Sequence, residues 1–228
     1  MLPALRRAYQ RLKRTVRPTM DTRFLQHVSG VVHVGANTGQ ERAVYDSFRI
    51  PVLWIEPIPE VFAALQRNLA GYADQQAIQA LVADVDGQEV EFHVASNDGA
   101  SSSMLAPARH GELWPSVTFD RTLRLRTQTL PSLVKQHGVD IRRYDALVMD
   151  TQGSELRVLK GAEPLLSQFR FVKTEAADFE SYVGCCRLDE LEAYLRTQGF
   201  EEYSRVRFRN QEPGKAYYEV VYRRRGAG

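Results

Sequence analysis

The stretch Val31-Val32-His33-Val34-Gly35-Ala36-Asn37-Thr38-Gly39 constrains this chain most, because a β-branched apolar run breaks into two glycines and then into helical spacing. Valines in such a run are buried-strand residues, and Gly35 and Gly39 allow a sharp turn and a close backbone approach to a bound molecule. About twenty residues on, Val52-Leu53-Trp54-Ile55 forms a second apolar run ending at Glu56, where an acid can accept both hydroxyl hydrogens of a ribose. The glycines are spaced G-x-x-x-G and not G-x-G-x-x-G, so no pair is set for a pyrophosphate. The pattern favours a nucleoside cofactor without phosphates, such as S-adenosylmethionine, over NAD. For the glycines alone, ordinary strand-to-helix turn chemistry is the alternative. Candidate cofactor contacts are Gly35, Ala36, Asn37 and Gly39 in the turn, with Glu56 and Pro57 at the second strand's end.

The pattern continues as alternating strands and helices. Pro57 and Pro59 introduce a helix carrying Phe62, Leu65 and Leu69, and Gly71 closes it. Ala77 to Ala83 reads as a third strand ending at Asp84, an acid placed either to reach an adenine amino group or to sit in a solvated turn. The alternation then lapses. Asp86-Gly87 followed by Val90, Phe92 and Val94 reads as a hairpin, and Asn97 to Ser103 as a flexible loop. Residues 85–130 therefore read as an insertion between the third and fourth strands. They carry Met104, His110, Trp114 and Phe119 and are expected to cover an acceptor site.

Regular alternation resumes at Asp145 to Asp150, an apolar strand delivering a carboxylate to the edge where open α/β sheets bind ligands. Thr151-Gln152-Gly153-Ser154-Glu155 turns into a helix, with Ser154 as its candidate cap and Gly161 a tolerated glycine within it. Phe171 to Glu175 is a fifth strand. Leu188 to Leu195 is a last helix, and Tyr203–Phe208 with Tyr217–Tyr222 an antiparallel pair joined by Glu212-Pro213-Gly214. The fold class is α/β, with a mostly parallel central sheet and helices on both faces. Residues 1–29 form an N-terminal helical segment, and 30–228 a single domain.

Charge separates these two parts. Residues 1–23 hold seven Lys/Arg against one acid, leaving 23 basic and 27 acidic residues in the remainder, so the body offers no nucleic-acid surface. Leu2, Leu5, Tyr9, Leu12 and Val16 recur at helical spacing among arginines, a basic amphipathic helix over 1–17 that Pro18 ends. It would pack on the domain or a second subunit, or lie on an anionic membrane surface. The tyrosine-rich last strands offer a second surface for a homodimer, and Arg223-Arg224-Arg225 reads as a solvated tail. No apolar run reaches the length of a membrane span, no signal-peptide pattern opens the chain, and the only cysteines are the neighbours Cys185 and Cys186. A cytoplasmic protein is expected.

Four ordered pieces, HVGANTG, WIEPIPEVFAALQRNL, LVMDTQGSELRVLKGA and FVKTEAADFESYVG, resemble the FkbM-type S-adenosylmethionine-dependent methyltransferases, over about Val31 to Gly199. The resemblance implies a Rossmann-like class I methyltransferase fold. It also implies methyl transfer to a hydroxyl of a sugar, a glycan or a polyketide-like small molecule. His33 departs from the family, which carries an Asp there that helps hold the methionine end of the cofactor, so that contact is not carried over.

Methyl transfer is an in-line displacement in which positioning supplies much of the rate and the acceptor hydroxyl must lose its proton. Asp150 is the first candidate to stand near the methyl group and to take that proton; Glu155 and Glu175 are further candidates. Glu155, in the first turn of a helix, has a structural alternative in the helix dipole. His110 is a base candidate by its place in the insertion, and His33 reads as a strand histidine satisfied by its neighbours. The three acids could also bind a divalent metal, which is left unassigned. Two other methyltransferase-fold readings remain. N-methylation of a protein or nucleic acid lacks its Asn/Asp-Pro-Pro-Tyr-like strand end in Asp150-Thr151-Gln152-Gly153, and a catalytically inactive binding protein has only His33 in its favour.

Overall fold

A computed structural model describes residues 21–212 and 215–226; the expected amphipathic helix over 1–17 lies outside them. Strands β1 (Val31–Val34), β2 (Val52–Glu56), β3 (Gln75–Gln79), β7 (Ala146–Met149), β8 (Phe171–Ala177), β9 (Phe200–Glu212) and β10 (Lys215–Arg224) make one sheet. Its order is β3-β2-β1-β7-β8-β10-β9. The first five of these positions are parallel, and β10 and β9 are antiparallel additions.

The parallel strands are apolar almost throughout because both faces are covered, so alternate residues of one strand enter different cores. Val32, Leu53, Leu147 and Val172 meet α4 (Leu130–Gln136), α5 (Glu155–Gly161) and α6 (Leu188–Thr197). Val31, Val52, Trp54 and Phe171 meet α1 (Arg42–Ser47), α2 (Pro59–Leu69) and the 3-10 turn Arg23–His27. Buried charge on this side is paired. Lys173 Nζ lies 2.9 Å from Glu219 Oε2, and Glu219 also accepts from the Asp21 amide at 2.6 Å, which satisfies a buried carboxylate that would otherwise be costly.

The third strand is shorter than expected. β2 runs into Pro57, which has no amide to continue the ladder, so β3 loses its neighbour beyond Gln79. The chain breaks at Ala80, and Leu81–Val82 (β4) pairs in parallel with Thr127 and Gln128 of β6 (Arg121–Gln128). The expected hairpin is replaced in the same way. β5 (Glu89–Val94) pairs antiparallel with β6 across the long intervening loop, giving a small sheet of order β4-β6-β5. That loop carries the single-turn helix α3 (His110–Leu113). The small sheet packs Phe92, Leu81 and Met104 against Ile58 and Val61 at the start of α2.

Three local expectations are also replaced. Ser154 makes no capping bond; its hydroxyl donates to the Thr151 carbonyl. Gly161 is required, because a Cβ there would stand 2.0 Å from the Ala83 carbonyl oxygen. Of the arginine tail, Arg224 is built in, whereas Arg225 is exposed: Arg224 donates to the carbonyls of Phe169, Gln198 and Leu166 and covers the Phe200 ring at 4.4 Å. One guanidinium thereby satisfies several helix-end acceptors at once.

Candidate active site

β1, β2 and β7 end side by side, and the turns beyond them wall a cavity with about 160 Å³ open to the centres of water molecules. Its wall has two chemistries. Toward β3 and the small sheet it is apolar, from Ile58, Leu81, Val82 and Phe92, with Gly99 and Ala100 alongside. Toward β1 and β7 it is polar, from His33, Gln40, Glu41, Asp150, Thr151 and Ser154. Glu56 stands between, since β2 lies between β3 and β1.

The turn after β1 uses its glycines differently from the expectation. A Cβ on Gly35, at φ 78°, would stand 2.0 Å from the Asp150 carbonyl oxygen, and one on Gly39 would meet the Leu65 side chain at 2.7 Å. Protein atoms therefore exclude a side chain at both positions, while Gly35, with Ala36 and Asn37, also lines the cavity. The amides of the turn are also spent internally. Gly35 and Ala36 donate to the Ile55 carbonyl, Asn37 to Glu56 Oε2 at 2.8 Å, Thr38 to the Asn37 side chain and Gly39 to the Ala36 carbonyl. A phosphate would find no donor among them, as the glycine spacing suggested.

Glu56 braces this turn. Its other oxygen accepts from the Ile58 amide at 2.9 Å, and the side chain is 4% exposed. Burial pushes its pKa up to about 7, with the two amides opposing and the Asp150 charge adding. Each carboxylate oxygen has one lone pair committed to an amide and one left for the cavity. Pro57 also lines it.

At the β7 turn, Asp150 lines the cavity and accepts from the Gln152 side-chain amide. Gln152, at φ 53°, ties three segments together: its Oε1 accepts from Tyr182 at 3.0 Å and its carbonyl from the Ser103 hydroxyl at 2.8 Å. Tyr182 shares the same proton with the Ser101 carbonyl at 2.9 Å. Reasoning from the sequence missed Gln152 and Tyr182; a non-glycine residue ahead of Gly153 in a tight turn was the available signal.

The other acids stand apart. Glu155 accepts from the amides of Thr151 (3.0 Å) and Gly153 (3.0 and 3.2 Å), and burial pushes its pKa up to about 7. With Glu175 it borders a second, much smaller void beside Ser181 and Tyr217. Asp84 does not line the cavity. The break at Ala80 carries it to α5, where it pairs with Arg157 at 2.8 Å, and Leu81 and Val82 take its expected place in the wall. Among the described residues, no group of three or more His, Cys, Asp or Glu side chains is placed to hold a metal ion.

The histidines also divide. His33 lines the cavity, stacked on Trp54 with centroids 4.7 Å apart, and has Tyr45 Oη at 3.2 Å from Nδ1. His110 is buried between Trp114 and Tyr182, outside the cavity wall, and burial pushes its pKa down to about 4.

Residues 33–202 match the methyltransferase FkbM domain. This chain belongs to the FkbM methyltransferase family. The four sequence motifs thus resemble the family to which the whole domain belongs. Among curated relatives, the 2-O-methyltransferase NoeI of Sinorhizobium fredii is 26% identical over 162 residues, covering 68% of this chain. The chain spans 65% of that relative's length. Among solved structures, a candidate tRNA (m1A22) methyltransferase of Streptococcus pneumoniae, in complex with S-adenosyl-L-methionine, aligns with TM-score 0.52 at 12% identity. It covers 94% of this chain and 72% of its own. An uncharacterized protein from Listeria monocytogenes serotype 4b aligns with TM-score 0.50 at 8% identity, covering 99% and 69%. At such identities the likeness is one of fold, and the fold is the Rossmann-like one expected. No helix among the described residues is long and apolar enough to cross a membrane.

Proposed function

We propose that this chain is an S-adenosylmethionine-dependent O-methyltransferase acting on a hydroxyl of a sugar, a glycan or a related small molecule. The observation that carries the cofactor is the divided cavity. Its apolar wall suits a purine, Glu56 suits the ribose hydroxyls, and its polar wall suits a charged amino-acid tail, beside a turn without amides for phosphate. Family membership supports methyl transfer, and the name of NoeI supports a hydroxyl acceptor. When bound, S-adenosylmethionine supplies a sulfonium methyl for in-line displacement.

The chain's own part is to hold the acceptor oxygen opposite the sulfur and to receive its proton. Asp150 is the group for this, since it stands on the polar wall and Gln152 fixes one of its oxygens. Residues 85–130 would complete the acceptor side, because Phe92, Gly99, Ala100 and Ser102 already reach the cavity wall. Glu155 and Glu175 border the smaller void and do not line this cavity, so they rank behind Asp150 for this role.

Calorimetric titration with S-adenosylmethionine, S-adenosylhomocysteine and NAD tests the cofactor. The expected result is micromolar binding of the first two, abolished by Glu56→Ala, and none of NAD. Absence of binding by the unaltered chain overturns the reading; binding opens a screen of glycan hydroxyl acceptors by transfer of labelled methyl.

A further inference from the structure

We infer that His33 holds the carboxylate of the cofactor's amino-acid tail as a hydrogen-bond donor through Nε2. An acid at this position would take the ammonium. The inference rests on the S-adenosylmethionine reading and on the position, tautomer and rigidity of the His33 ring.

The first is position. His33 lies on the polar wall, across Glu56 from Ile58, Leu81 and Phe92. A nucleoside with its base on the apolar side and its ribose at Glu56 therefore extends its tail toward His33.

The second is the tautomer. Tyr45 is fully buried, and among the described residues its hydroxyl has His33 Nδ1 as its hydrogen-bond partner. A buried phenol keeps its proton in a hydrogen bond, so Tyr45 donates and Nδ1 accepts. The ring proton is then on Nε2. The charged and titratable groups around the ring are Tyr45 from α1, with Glu41 acting on it, and Lys173 from β8, itself paired with Glu219 from β10. Burial, with Lys173 adding, pushes the His33 pKa down to about 3, so the imidazole stays neutral at any working pH.

The third is rigidity. The ring lies at 23° on Trp54 and edge-on to Tyr45, with centroids 5.9 Å apart, so its orientation is set before any ligand arrives. A neutral N–H fixed in this way attracts a carboxylate and offers an ammonium nothing. The ammonium is left to an acid of the same wall, Glu41.

The test is calorimetry with four probes: S-adenosylhomocysteine, its decarboxylated analogue, its deaminated analogue and 5′-methylthioadenosine, which lacks the tail. Each is titrated into the unaltered chain, His33→Ala, His33→Gln and His33→Asp. His33→Ala is expected to weaken S-adenosylhomocysteine and the deaminated analogue about 10- to 100-fold, the scale of a hydrogen bond to a charged group. The two probes without a carboxylate should change less than about three-fold. His33→Gln, which keeps an N–H, should recover part of the loss, and His33→Asp should prefer the decarboxylated analogue. Equal weakening of all four probes by His33→Ala, or no weakening of any, overturns the inference while leaving the cofactor reading in place. No binding of S-adenosylhomocysteine by the unaltered chain overturns both.

Discussion

Two turns leave the same edge of the sheet, after β1 and after β7, and each is braced by a buried carboxylate that accepts backbone amides. In the first the brace is Glu56, brought from the neighbouring strand; in the second it is Glu155, from the helix that the turn begins. Burial raises the pKa of both to about 7. They differ in what lies on their far side. Glu56 opens on the main cavity, whereas Glu155 borders the small void. Carboxylates under the same local forces thus face different empty spaces, and on the proposed function that position alone makes Glu56 a ligand group and leaves Glu155 a brace.

Substitutions can break or sharpen this contrast. The largest effect is expected where the two turns touch. Gly35→Ala forces a Cβ into the Asp150 carbonyl and an unfavourable φ, so a loss of more than about 4 kcal/mol in urea unfolding is expected. An unchanged midpoint would show that the turns are not locked together.

Next come the braces themselves. Glu155→Gln should lower stability by about 1–3 kcal/mol, since one amide loses its acceptor, while S-adenosylhomocysteine affinity stays within about three-fold. Glu56→Gln should lower stability comparably and lower that affinity by about 10- to 100-fold. Equal affinity losses in the two variants would erase the distinction drawn here.

A smaller effect separates them by pH. Both acids are raised from an ordinary value of 4.5 to about 7, so between those values the folded chain holds more protons than the unfolded one. Their contribution to stability therefore falls as pH rises through that window, and each Gln variant should flatten the fall. Affinity for S-adenosylhomocysteine should run the other way, rising by up to about ten-fold from pH 6 to 8 as Glu56 ionises and becomes the better acceptor. Glu155→Gln should keep that rise, and Glu56→Gln should remove it.

The smallest effect concerns Asp84. Its partly exposed bridge to Arg157 is worth about 0–1 kcal/mol, and Arg157→Ala should leave S-adenosylhomocysteine affinity unchanged, since neither residue lines the cavity. A marked loss of affinity would return Asp84 to the site.

The central sheet was legible in the sequence because doubly buried strands must be apolar throughout, and Val31–Val34, Val52–Ile55 and Ala146–Met149 have no other reading. Glu56 and Asp150 could be placed because each ends such a strand. What could not be read depends on neighbours distant in the chain. That Gly35 is also demanded by the Asp150 carbonyl packed against it cannot be read locally, and Gly161 looks tolerated until Ala83 is seen. α4 went unread between the insertion, which ends at 130, and the strand at Asp145, although Thr129 as its cap, Pro131 and the Leu130, Leu133, Val134 spacing were local signals for it. The direction in which Glu155 turns has no local signal at all.

The break at Ala80 bears on how such a domain can change over time. Because Leu81–Val82 is stitched to β6 while also forming part of the cavity wall, the segment between the third and fourth parallel strands is not a detachable cassette. Exchanging it wholesale would strip one side of the cavity. On the proposed function, new acceptor preferences would come mainly by substitution in the long loop between β5 and β6, with the small sheet kept as the frame of the cavity.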